Sequence, residues 1–129
     1  MREELKALAG PDRALRDIIS DRGLAALGDA LVNFAYSLAL SLDAGRPRGK
    51  RLDNRALSEA LRASGLRPLI PKRMDRHQLA NAVEALLAYG WLKGMFNLSD
   101  LVEALRGPDA IGGLSGLLKE VVAKAGLKP

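Results

Sequence analysis

Two acidic residues lie inside apolar segments of the chain, where an ionised side chain needs a partner. Asp29 is the only charged residue between Leu24 and Leu42, and Glu84 lies among valine, alanine and leucine residues. A carboxylate in such surroundings must be paired, hydrogen-bonded or bound to a cation. The two positions are therefore the first candidates for a functional site.

Amide and imidazole side chains accompany these acids. Asn33 follows Asp29 by one helical turn, and His77 and Asn81 share a predicted helix face with Glu84. If the two helices pack antiparallel, the carboxylates and asparagine oxygens form the hard ligand set that Mg²⁺ or Mn²⁺ prefers, with Asn33 and His77 as supporting residues. The simpler alternatives are that Asn33 or a backbone amide satisfies Asp29, that Glu84 pairs with an arginine, and that His77 only belongs to a first helical turn.

The elements that position these residues are predicted to be helices. Sustained alternation of apolar and polar residues is missing, and alanine and leucine are abundant. Gly, Pro and capping residues delimit six or seven helices, over about 2–9, 12–20, 23–42, 54–64, 76–92, 100–106 and 114–125. Gly28, in the middle of the long helix, indicates close approach of another helix. The apolar stripe of that helix is Leu24, Leu27, Leu31, Phe34, Leu38 and Leu42, and Asp29 lies off it.

Composition excludes several classes of protein. The chain has 129 residues, a length that predicts one domain. It has no cysteine and one histidine, which excludes metal sites built from thiolates or from several histidines. Aromatic residues make up 4%, too few for a sheet that stacks single-stranded bases. The N-terminus lacks an apolar signal region, so we expect a cytoplasmic protein. Segment 24–42 is predicted to be a buried helix and not a membrane span, because Asp29 would be costly in lipid.

The charge is concentrated in one part of the chain. The net charge is +5, while residues 46–76 carry ten basic and three acidic residues, which gives 10 − 3 = +7. Such a segment indicates a polyanionic partner, or else a solvated arginine-rich surface of the kind that thermophiles use. The candidate contacts to the polyanion are Arg46, Arg48, Lys50, Arg51, Lys72, Arg73 and Arg76.

Two sequence motifs resemble those of the ribonuclease III family. Residues 24–31, LAALGDAL, are similar to the signature E-x-L-E-F-L-G-D and the small and aliphatic residues after it. Residues 81–94 resemble the motif D-x-x-E-A-L-I-G-A-x-Y-L-D-G, and residues 54–66 resemble the helix between the motifs. The resemblance covers about residues 20–105. It implies an all-α ribonuclease III-like domain over 1–129, most like a compact archaeal-type branch without a double-stranded-RNA-binding domain.

The resemblance also implies a reaction, the metal-assisted hydrolysis of double-stranded RNA by homodimers with four acids in each site. The signature aspartate is Asp29, and the glutamate four positions earlier falls on Ala25. The aspartate of the second motif falls on Asn81, and its glutamate is Glu84. The resemblance therefore implies Asp29 and Glu84 as catalytic residues, and these two with Asn81 as ligands of Mg²⁺ or Mn²⁺.

Three functions fit the sequence. The first is a divergent, metal-dependent endoribonuclease that acts on structured or double-stranded RNA, for example ribosomal RNA precursors, with the basic segment on the phosphates. The second is a non-catalytic RNA-binding or ribosome-associated dimer on the same fold. The third is a helical interaction or DNA-binding protein with a helix-turn-helix around 56–80, although the connection there is long for that motif. We expect a homodimer, with a contact near Trp91 or on the C-terminal helix.

Overall fold

The computed structural model describes residues 1–127, and in that range it contains seven α-helices and no β-strand. The predicted all-α fold is thereby confirmed. A 3₁₀ turn at Arg67–Leu69 lies in the connection between the fourth and fifth helices. The helices are α1 Arg2–Leu8, α2 Leu15–Ile19, α3 Arg22–Ala44, α4 Asn54–Ala63, α5 Arg76–Leu92, α6 Leu98–Leu105 and α7 Ala110–Ala125.

Capping residues explain where the helices begin. Asp53 caps α4, and Asp75 forms a capping box with Gln78 at the start of α5. Two helices begin earlier than predicted: Asn97 caps α6 and Asp109 caps α7, and each accepts a hydrogen bond from a backbone N–H three residues later. The second helix begins later than predicted, at Leu15.

The core of the domain is built around α5. Except for Asn81, every residue of this helix from Leu79 to Gly90 is buried. Helices α1, α2, α3, α4 and α7 all contact it, and its contact with α3 is the most extensive. A helix that is apolar around its whole circumference belongs in a core, which is the position of α5.

The buried face of α3 differs from the predicted apolar stripe. Of the six residues in that stripe only Leu24 is buried, and Leu27, Phe34 and Leu42 are 39%, 56% and 55% exposed. Gly28 packs against the backbone of Glu84, where a Cβ would overlap the carbonyl oxygen. The prediction was wrong because close approach of two helix backbones requires small side chains. The buried residues of α3 are Leu24, Gly28, Val32, Ala35 and Ala39.

Residues 46–52, which we call the basic strap, run back along α3. The Ser41 hydroxyl accepts from the Arg48 N–H at 2.8 Å and shares its hydrogen between the carbonyls of Arg48 at 3.1 Å and Ser37 at 2.7 Å. The Ser37 hydroxyl accepts from the Lys50 N–H at 2.9 Å and donates to the Lys50 carbonyl at 3.0 Å. The strap is therefore fixed to one side of α3 by backbone hydrogen bonds, so its position does not depend on its charged side chains.

By length and composition α3 is also the one helix within residues 1–127 that could cross a membrane. The core helix of a globular domain meets the same criteria. Helix α3 packs extensively on α5, but only 28% of its apolar stretch is buried, so the predicted buried helix is buried on one side only.

Candidate active site

The packing of α3 on α5 brings the side chains of Asp29 and Glu84 together. Gly28, directly before Asp29, lies against the backbone of Glu84, so the two helices are in close contact at this point. Both side chains line one pocket, and their carboxyl groups are close enough for each to shift the pKa of the other. The two acids that the sequence singles out thus share one site.

The pKa values of the two acids are shifted in opposite directions at this contact. Glu84 is 5% exposed, and burial, reinforced by the hydrogen bond to Asp29 and its negative charge, raises the pKa of Glu84 to about 8. The pKa of Asp29 lies below its usual value, first because of the hydrogen bond from Glu84 and then because of Arg51 and Asn33. At neutral pH, Glu84 is therefore protonated, and its carboxyl O–H is the group that can donate a hydrogen bond to the ionised Asp29.

Two further side chains hold Asp29 from the strap side. Its Oδ1 atom accepts hydrogen bonds from Arg51 Nη2 at 2.8 Å and from Asn33 Nδ2 at 2.9 Å. The Oδ1 atom of Asn33 accepts from the backbone N–H of Leu52 at 2.7 Å. Asn33 thus connects Asp29 to the backbone of the strap.

An open pocket of about 530 Å³ surrounds the acid pair. His77 is an exposed residue of this pocket, and its Nδ1 atom lies 3.4 Å from Nδ2 of Asn54. Sequence analysis missed Arg22 and Asn54; the spacing of Arg22, Ala25 and Asp29 along α3 is the signal that could have identified Arg22. The pocket is lined by Arg22, Ala25, Ala26, Asp29, Arg51, Asn54, His77, Asn81 and Glu84.

The oxygen donors of the pocket fit one divalent ion. Asp29 and Glu84 supply carboxylates and Asn81 supplies an amide oxygen, which with water molecules suits Mg²⁺ or Mn²⁺. Ala25 has no donor at the position of a third acid. Two ions about 4 Å apart would repel each other strongly and need more negative charge than this. Within residues 1–127, no three His, Cys, Asp or Glu side chains gather as a metal site.

Two basic segments end at the pocket. The strap ends with Arg51 and Leu52, and the segment 72–76 leads directly into His77. Arg67 donates to the carbonyls of Pro71 at 2.8 Å and Lys72 at 2.7 Å, which fixes the loop before this segment. Of the predicted polyanion contacts only Arg51 lines the pocket, and the other six are exposed: Arg46, Arg48, Lys50, Lys72, Arg73 and Arg76.

The fold and the site together define a helical domain with a carboxylate pair between its two most extensively packed helices. The family model described as Ribonuclease III matches residues 22–124, which include α3 to α6 and all but the last residue of α7. The chain belongs to the ribonuclease III family, and the resemblance stated from its two motifs is confirmed. No curated protein matches the sequence.

The helix-turn-helix alternative does not agree with the geometry. The predicted motif would use α4 and α5, but residues 64–75 separate these helices. A helix-turn-helix joins its helices by a turn of about three or four residues. Helix α5 is moreover the buried centre of the domain, so it does not offer a face to a DNA groove.

Proposed function

We propose that the protein is a divergent endoribonuclease that cleaves structured or double-stranded RNA with one divalent ion, Mg²⁺ or Mn²⁺. The observation that carries the proposal is the contact between Asp29 and Glu84 in a pocket at which two basic segments end. Membership of the ribonuclease III family supports a ribonuclease III-like role. Processing of ribosomal RNA precursors in the cytoplasm is the context we propose.

Each group of the pocket then has a part in the reaction. When bound, a divalent ion would polarise the phosphate and activate a water molecule for attack on it. Asp29 and Glu84 would hold the ion together with the amide oxygen of Asn81, which requires Glu84 to release its proton to the solvent. The strap and segment 72–76 bind phosphates on either side of the site. By analogy with the family, the products carry a 3′-hydroxyl and a 5′-phosphate.

We also propose a homodimer formed through the outward side of α3. The exposed side chains of Leu27, Phe34 and Leu42 supply apolar surface that a second copy would cover. Of the contacts considered from the sequence, Trp91 is half-buried within one chain. On the C-terminal helix, the larger apolar residues from Leu114 to Val122 are buried within the domain, which leaves little surface for a partner.

A non-catalytic RNA-binding protein is the second candidate, and a specific observation favours it. Asp29 already forms an ion pair with Arg51, and Glu84 is protonated at neutral pH. Two of the four acids expected from the family are replaced, by Ala25 and Asn81. On this hypothesis, the pocket binds a backbone phosphate of the RNA, and the protein does not cleave the RNA.

Cleavage of a hairpin RNA separates the two candidates. We expect Mg²⁺-dependent cutting that stops in EDTA, and a rate reduced at least about 100-fold by Asp29→Asn and by Glu84→Gln. Both variants keep salt-sensitive RNA binding, because the basic segments are unchanged. Glu59→Gln is the matched control, since Glu59 lies on α4 in an ion pair with Arg55 outside the pocket. Binding without cutting by the wild type would establish the second candidate.

A further inference from the structure

Arg51 places a positive charge next to the acid that the proposed function assigns to a metal ion. Its Nη2 atom lies 2.8 Å from Oδ1 of Asp29, and the two side chains are 74% and 42% exposed. An ion pair this exposed contributes little to stability, so it is readily exchanged for another partner. A guanidinium and a divalent ion both need the negative charge of Asp29, and they repel each other.

The position of Arg51 is set by the strap on which it lies. The residues on either side of it are fixed to α3 through their backbones, Lys50 by the hydroxyl of Ser37 and Leu52 by the amide oxygen of Asn33. Asn33 also donates to the same Oδ1 atom of Asp29 that Arg51 contacts. One side chain of α3 thus fixes both the acid and the strap that carries its counter-charge.

We propose that Arg51 is a built-in competitor of the metal ion, which neutralises Asp29 in the RNA-free protein and is drawn off when an RNA phosphate binds. The proposal rests on the proposed function, because it assumes that Asp29 is a metal ligand. Guanidinium groups bind phosphate oxygens in a planar, bidentate manner, so an RNA backbone offers Arg51 a favourable alternative partner. Metal binding and RNA binding then strengthen each other, and by linkage the effect is the same in both directions.

Mn²⁺ binding to the full chain tests the competition. Paramagnetic broadening of the backbone amide signal of Gly28 and the side-chain amide signal of Asn81 reports an ion at this site. We expect Arg51→Ala to lower the half-broadening Mn²⁺ concentration about three- to tenfold. Arg48→Ala, which removes the same charge from the same strap, is expected to change it by less than about twofold. Asp29→Asn is the control that lacks the site.

Addition of a short RNA duplex tests the release of Arg51. After subtraction of the Asp29→Asn spectra, which account for Mn²⁺ bound to the RNA itself, the duplex is expected to tighten Mn²⁺ binding to the wild type and to change it little in Arg51→Ala. An Arg51→Ala variant that binds Mn²⁺ no more tightly than the wild type, or no more tightly than Arg48→Ala, overturns the proposal. If Arg51→Ala does not tighten Mn²⁺ binding but the wild-type protein cleaves RNA with Mg²⁺, the proposed function survives. If Arg51→Ala tightens Mn²⁺ binding but the wild-type protein cleaves no RNA, only the nuclease function fails.

Discussion

The two apolar sides of α3 differ in a way that is unusual for an amphipathic helix. Small residues dominate the buried side, whereas the outward side carries Leu27, Phe34 and Leu42. Burial of large apolar side chains is ordinarily the favourable arrangement, at about 25 cal/mol per Å² of surface removed from water. The buried side of this helix therefore reflects a second requirement, which is a short distance to α5.

That short distance is also what creates the site. Gly28 costs about 1 kcal/mol relative to alanine in a helix interior, and contact with the backbone of Glu84 offsets this cost. Because the backbones touch, the short side chain of Asp29 reaches the carboxyl group of Glu84. The inward side of α3 thus positions chemical groups, and the outward side is the one through which we propose that two copies associate.

The largest expected effect comes from separating the two helices. In Gly28→Val, the Cβ would overlap the carbonyl oxygen of Glu84, which is backbone and cannot move aside cheaply. We expect a loss of about 3 kcal/mol or more in the free energy of unfolding, measured by urea denaturation. The matched control is Gly116→Ala on α7, where no atom lies within 4 Å of the new Cβ, and it should stabilise by up to about 1 kcal/mol. A Gly28→Val protein as stable as the wild type would contradict the close packing of α3 on α5.

A smaller effect on the free energy of unfolding is expected from the protonation of Glu84, which its burial at this contact favours. The pKa of Glu84 is about 8 in the folded protein against an ordinary value of 4.5, so between these values the folded state holds a proton that the unfolded state has lost. The contribution of this group to stability is therefore complete below pH 4.5 and is lost as pH rises to about 8. The lowered pKa of Asp29 acts in a separate window, below its ordinary value of 3.8.

Urea denaturation between pH 5 and pH 9 measures this contribution. Glu84→Gln keeps a neutral, hydrogen-bonding side chain at all pH values, so its stability should fall less with rising pH than that of the wild type. Glu59→Gln serves again as the control and should follow the wild-type curve. Parallel curves for the wild type and Glu84→Gln would mean that Glu84 is ionised in the folded protein at neutral pH.

Much of the fold and the two central acids can be predicted from the sequence. Capping residues such as Asp53 and Asp75 mark helix starts through local hydrogen bonds, which depend only on neighbouring residues. Asp29 and Glu84 stand out because an acid in an apolar segment needs a partner, and the motifs around them place both in a known family. The glycine at position 28 indicates where the helices touch.

The remaining features depend on how distant segments meet. The spacing of large apolar residues predicts the wrong buried side of α3. The contact with α5 requires small side chains, which a stripe of large residues does not identify. The contact of Arg51 with Asp29 spans 22 positions and exists only because the strap folds back. A local signal for that strap is present in hindsight: Asn33, Ser37 and Ser41 recur at intervals of four and form a polar line along an apolar helix.

The smallest effect on the unfolding of a single chain is expected on the outward side of α3. Phe34→Glu should change the free energy of unfolding of the monomer by no more than about 0.5 kcal/mol, because the side chain is 56% exposed. The same substitution should convert the dimer into a monomer, as measured by light scattering after size-exclusion chromatography. Leu8→Glu, which alters a 66% exposed side chain on α1, should leave the dimer intact. If the wild type is a monomer at tens of micromolar, or if Phe34→Glu remains a dimer, a second copy does not cover this side. The contrast between the two sides of α3 would then reflect only the small residues needed for contact with α5.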